Sequence, residues 1–95
     1  MSENGSVISM DVNIVNRRGL HARAAAKLVT LAERFSANLE VAKDGQSVSA
    51  RSIMGLMMLG AGIGSTVRLS AEGFDAKEAL DAAAALIEAG FHETD

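Results

Sequence analysis

An α+β open-faced sandwich, with a four-stranded, mainly antiparallel sheet and three helices on one face in the order βαββαβα, is predicted by three features of this sequence. Four segments alternate apolar and polar residues with period two, as half-buried strands do. Amphipathic helical stripes are interleaved with them. The chain also lacks the crossover repeats of about 30 residues that build a parallel sheet. Ninety-five residues make one domain, since a chain this short should bury only about 60–65% of its unfolded surface and cannot form two stable cores.

Each element has its own signal. Ile8, Met10, Val12 and Ile14 alternate with Ser9, Asp11 and Asn13, the pattern of a first strand. From Ala22 the spacing changes to Ala25, Leu28, Val29, Ala32 and Phe35, a helical stripe with Arg23, Lys27, Glu33 and Arg34 mostly off it. Leu39 and Val41 then alternate with polar neighbours, Asp44-Gly45 supplies a two-residue hairpin turn, and Val48 and Ala50 continue the return strand. Ser52 is placed to cap a brief helix through Ile53 to Leu59, and Gly60 to Gly64 form a turn. Val67, Leu69 and Ala71 mark a fourth strand ended by Glu72-Gly73. Asp75 and Glu78 are spaced as a capping box for the last helix, whose stripe is Leu80, Ala83, Ala84 and Ile87. Gly90 suits the position after its final turn. A polar tail over 1–6 and an acidic tail over 91–95 flank the domain.

Composition excludes several classes of function. Without cysteine there is no disulfide framework, thiolate nucleophile or thiolate metal site. The polar start M-S-E-N-G-S has no basic, apolar leader, and no apolar run approaches the roughly 20 residues of a membrane span, so a cytoplasmic protein without direct membrane insertion is expected. A net charge of −3, with neither tyrosine nor tryptophan to stack on bases, argues against nucleic-acid binding.

The chemistry is expected at His21, where N-R-R-G-L-H-A-R-A-A-A-K-L-V passes from an extended segment into a helix. An imidazole there stands beside backbone N–H groups that no helical carbonyl satisfies, and those groups favour an anion. A neutral ring can attack phosphorus through a ring nitrogen. The phosphoryl oxygens can then accept hydrogen bonds from the amides of Ala22 and Arg23 and from the Arg23 guanidinium, while Gly19 leaves room for close approach. By position alone, however, His21 could equally be a polar residue at a helix start.

The run G-L-H-A-R followed by A-A-x-L-V resembles the active-site signature of the histidine-containing phosphocarrier (HPr) family of the bacterial phosphoenolpyruvate-dependent phosphotransferase system, including its nitrogen-related branch. A second block, S-A-R-S-I-M-G-L-M-M-L-G from Ser49 to Gly60, is similar to the family's other signature, so the resemblance covers nearly the whole chain, from about Val7 to about Gly90. The resemblance implies a carrier, not an enzyme, that accepts a phosphoryl group from phospho-enzyme I on Nδ1 of His21 and passes it to a histidine of an enzyme IIA-type domain. No cofactor is required. It implies also that Ser52 is a regulatory phosphorylation site for an HPr kinase/phosphorylase, although serine is a preferred helix cap without any such role. Ala24 departs from the proline that many relatives carry in this turn, and Arg18 from a smaller polar residue. Both bear on partner preference.

Ile53, Met54, Leu56, Met57, Met58 and Leu59 are too many apolar residues for one short helix to bury. Core packing would claim Ile53, Leu56 and Leu59. A partner-facing patch would use Ile53, Met54 and Met57, rimmed by Arg23, Lys27 and Arg51 for acidic partners. Glycines 60–64 lack the lysine of a phosphate-binding loop, and His21 with His92 has no further ligands at zinc spacing. His92 is expected to be a solvated tail residue. A monomer is the simplest state for a carrier that shows one face to successive partners. Two rivals are a binding module of the same fold acting only through phosphorylated Ser52, and a small α/β domain binding nucleic acid or a metabolite without covalent chemistry. The presence of His21 argues against the first, the acidic balance against the second.

Overall fold

A computed structural model describes residues 6–93. Its elements are β1 (Val7–Asn13), α1 (Ala22–Ala32), β2 (Asn38–Lys43), β3 (Gln46–Ser49), α2 (Ile53–Met58), β4 (Thr66–Glu72), α3 (Ala76–Glu88) and a closing 3-10 turn, Gly90–His92. The order is the βαββαβα expected. The strands lie as β1-β4-β2-β3 and every neighbouring pair is antiparallel, with Val12 opposite Val67, Leu69 opposite Val41, and Val41 opposite Val48.

Alternation decides which face each side chain takes. Val12, Leu39, Val41, Val67, Leu69 and Ala71 are buried beneath the helices. The other face carries polar cross-strand pairs: Ser9 with Ser70, Asp11 with Arg68 and Asn13 with Thr66. Asp44 and Gly45 both adopt positive φ, 51° and 84°, and join Lys43 to Gln46 as the hairpin signal requires. In α3 the buried face is mostly alanine, Ala76, Ala79, Ala83 and Ala84 with Leu80 and Ile87. Small side chains let its axis lie close to the sheet.

Two expectations are corrected, and one falls mostly outside the described residues. The polar tail over 1–6 lies outside the described residues except for exposed Ser6. Asp75 and Glu78 do not form a capping box, because Asp75 has φ −107° and ψ 29° and makes no side-chain cap bond. Its carboxylate instead accepts the N–H groups of Ser36 (2.9 Å) and Ala37 (2.8 Å), tying the start of α3 to the α1–β2 connection. Those two amides precede β2 and lie outside the sheet pairing, so the carboxylate satisfies donors that the ladder leaves free. Within the acidic tail expected over 91–95, the described residues pack onto the fold: Phe91 is fully buried, with φ 57°, and is among the largest buried side chains of the core. Gly90, at φ 64°, turns the chain back so that this ring can enter.

Candidate functional site

The site is assembled from the turn before α1 and the turn after α3. Gly19 has φ 66°, and a Cβ there would lie 2.4 Å from the Ala61 carbonyl oxygen and 2.8 Å from Gly62 Cα. The space that glycine leaves is thus filled by the glycine-rich 60–64 turn, whose Ala61 carbonyl accepts the Leu20 N–H at 2.9 Å. Gly19 serves the close approach of backbone to backbone, not of a ligand. Leu20 is buried, and its anchoring fixes where the next residue, His21, emerges.

His21 is the N-cap of α1, with extended φ −78° and ψ −179°. Its Nδ1 accepts the Arg23 N–H at 3.3 Å, while Nε2 is bonded to Oε2 of Glu93. An ionised carboxylate can only accept, and a backbone N–H can only donate. The two contacts together therefore define a neutral ring protonated on Nε2, with its lone pair on Nδ1. The His21 side chain is 22% exposed and Glu93 10%. The histidine is thus partly open to a partner while its carboxylate is more nearly covered.

Glu93 is held in turn. Asn16, the one polar residue buried among the described residues, donates from Nδ2 to the Gly19 carbonyl at 2.8 Å and to Oε1 of Glu93 at 3.0 Å. The hydrogen bonds from His21 and Asn16, with the Lys27 ammonium nearby, keep the Glu93 carboxyl below the ordinary glutamate range against the opposing effect of burial. Lys27 also donates to the Phe91 carbonyl at 2.6 Å. Neither Glu93 nor Asn16 was expected in the site. The signal available in the sequence was Phe91, a large apolar residue just beyond a terminating glycine, which anchors whatever follows it.

The other expected residues divide by place. Arg23 is exposed on the first turn of α1 and, with Lys27, Arg34 and His92, lines a groove of about 490 Å³ between α1 and α3 floored by Leu31 and Leu86. Among the described residues the Ala22 N–H finds no acceptor, whereas that of Arg23 is taken by the ring. Arg51 stands at the opposite end of α1, where its guanidinium donates to the carbonyls of Ala32 (3.4 Å) and Phe35 (2.6 Å). Ser52 caps α2, its Oγ accepting the Gly55 N–H at 3.0 Å. Leu56 and Leu59 are buried as expected, but Ile53 is 39% exposed and leaves the core expected of it, because the helix turns only one narrow face inward. Met54 and Met57 are exposed too, as is Met58. With Ile63 they form an apolar surface on an element packed against α1. Ala24, in the first turn of α1, is fully buried.

Comparison with known proteins agrees with this geometry. Residues 8–89 match the family described as the PTS HPr component phosphorylation site. The chain is 51% identical to the phosphocarrier protein HPr of Cupriavidus necator over 87 residues, 92% of this chain and 98% of that protein. It is 45% identical to the phosphocarrier protein NPr of Shewanella violacea, over 90% of this chain and 94% of that one. A crystal structure of HPr from Thermoanaerobacter tengcongensis superposes with a TM-score of 0.87 at 46% identity, covering 93% of this chain and 99% of the other.

Proposed function

Because the chain belongs to the HPr family of phosphocarriers of the phosphotransferase system, we propose that His21 is the residue on which the phosphoryl group travels. The observation that carries this reading is the unprotonated Nδ1 of a partly exposed imidazole at the N-terminus of α1. The group arrives from phospho-enzyme I and leaves for an enzyme IIA-type acceptor, and the protein is regenerated in each cycle. The helix end stabilises the phosphoryl anion through its dipole and through the Ala22 N–H, joined by that of Arg23 once the ring releases it. The Arg23 guanidinium adds a mobile counter-charge. A shallow site of this kind holds the group without trapping it, and the docked partner supplies the in-line geometry that phosphoryl transfer needs.

Docking uses the exposed Ile53, Met54 and Met57 of α2 with the cations Arg23 and Lys27, and acidic surfaces of the partners meet those cations. Arg51 extends the rim at the far end of α1. Ser52, at the edge of the same patch, is the site at which an HPr kinase/phosphorylase regulates docking. The protein works as a monomeric, single-domain carrier in the cytoplasm without a cofactor. Among the described residues no helix is long and apolar enough to cross a membrane.

Intact-protein mass spectrometry after incubation with phosphoenolpyruvate and enzyme I tests the reading. One added phosphoryl group, lost in brief acid and absent from His21→Ala, is the expected outcome. An acid-stable group, or one that persists in His21→Ala, would overturn it.

A further inference from the structure

We propose that Glu93 is a positioning residue for the transfer at His21: its carboxylate keeps the proton on Nε2 through the cycle, leaving Nδ1 as the nucleophile and neutralising the ring when Nδ1 binds phosphorus. The inference rests on His21 being the carrier residue. Its geometry is a chain of contacts from the core to the ring. Phe91 is fully buried, Lys27 holds its carbonyl, Asn16 holds Oε1 of Glu93, and Oε2 is left to meet Nε2. A carboxylate only 10% exposed, fixed by a buried amide, has little freedom to leave the ring.

The chemistry follows from charge balance. In the forward step the Nδ1 lone pair forms a bond to phosphorus while the donor's N–P bond breaks, its electron pair returning to the donor histidine. The His21 ring, neutral before, becomes an imidazolium that carries phosphorus on Nδ1 and hydrogen on Nε2. Glu93 supplies the opposite charge in contact with that hydrogen. In the onward step the N–P electron pair returns to Nδ1, and the ring leaves as a neutral Nε2–H imidazole, a far better leaving group than the anion that a deprotonated Nε2 would require. Glu93 thereby keeps the phosphoryl group transferable. Arg23 and Lys27 on α1 and His92 in the closing 3-10 turn line the neighbouring groove. All three are or can be cationic, so Glu93 is the one carboxylate placed among the described residues to hold the ring proton.

Nitrogen-15 NMR of wild type, Glu93→Gln and Glu93→Asp, each before and after phosphorylation by enzyme I, tests the assignment. In the wild type the neutral ring is the Nε2–H tautomer. In Glu93→Gln the ring loses its preference for that tautomer, and the two ring-nitrogen shifts move toward each other. Transfer to the acceptor slows about tenfold, and Glu93→Asp recovers part of both effects. A Glu93→Gln protein phosphorylated on His21 with an unaltered tautomer preference and an unaltered rate of onward transfer would overturn this role alone. So would equal slowing in Glu93→Asp and Glu93→Gln without any change in the ring-nitrogen shifts, which would mark a purely structural contact. A wild type that takes up no phosphoryl group would instead overturn the carrier reading, and this role with it.

Discussion

His21 is defined by contacts on both sides of its ring, and only one of them comes from its own neighbourhood. The Arg23 N–H lies two residues away, whereas Glu93 lies 72 residues away and Asn16 reaches it from a third segment. Gly19 shows the same dependence on distant chain. Its positive φ could be inferred from the turn it occupies, but its requirement for hydrogen in place of Cβ comes from Ala61 and Gly62. Gly45 also has positive φ yet faces open space. Gly45→Ala should therefore cost only the left-handed backbone penalty, about 1–2 kcal/mol. Gly19→Ala should cost more, because a carbonyl 2.4 Å from the new methyl must move. Urea denaturation of the two variants checks the order, and a Gly19→Ala protein as stable as Gly45→Ala would contradict it. The movement should also displace His21, so phosphoryl uptake should fall in Gly19→Ala and not in Gly45→Ala.

At the scale of elements, α2 combines two demands that its sequence meets at different positions. Ser52 and the buried Leu56 and Leu59 hold the six-residue helix on the fold. Ile53, Met54, Met57 and Met58 are left to solvent, at the cost of exposed apolar surface that a partner can cover. The cap separates structure from regulation experimentally. Ser52→Ala should lose about 1 kcal/mol by removing the oxygen that accepts the Gly55 N–H. Ser52→Asp keeps a capping oxygen and adds a charge at the patch edge, so it should retain most of that stability while accepting phosphate from enzyme I more slowly. Uptake by Ser52→Asp as fast as by wild type would remove the proposed regulation. The start of α3 teaches the converse lesson. Asp75 followed three residues later by Glu78 has the spacing of a capping box, yet the carboxylate is drawn to the free amides of Ser36 and Ala37. Local spacing names a residue able to cap; competition among donors across the fold decides which N–H it takes.

For the whole molecule, the closing segment joins stability to the site, since Phe91 completes the core and Glu93 completes the histidine's environment. The link has a pH signature. The Glu93 carboxyl is depressed in the folded protein, chiefly by its hydrogen bond to His21 and then by that to Asn16. The folded state therefore binds this proton less readily than the unfolded chain, where glutamate titrates at about 4.3. The stabilisation is complete above that unfolded value and is lost as pH falls through the lower folded one. Below about pH 5 the stability difference between wild type and Glu93→Gln should shrink steadily, as read from urea denaturation, and a difference that grew over that range would contradict the hydrogen bond. The family, the order of elements, the hairpin, the Ser52 cap and the place of His21 at a helix start were all legible in the sequence. They depend on alternation, helical spacing and short motifs, and the physics of each acts over a few residues. The assignment of Gly19's space to the 60–64 turn, the diversion of Asp75, the exposure of Ile53, the burial of Phe91 and the pairing of Glu93 with His21 were decided only by tertiary structure. Each is a contest between partners far apart in the chain, and its outcome depends on which groups the packed core brings within reach.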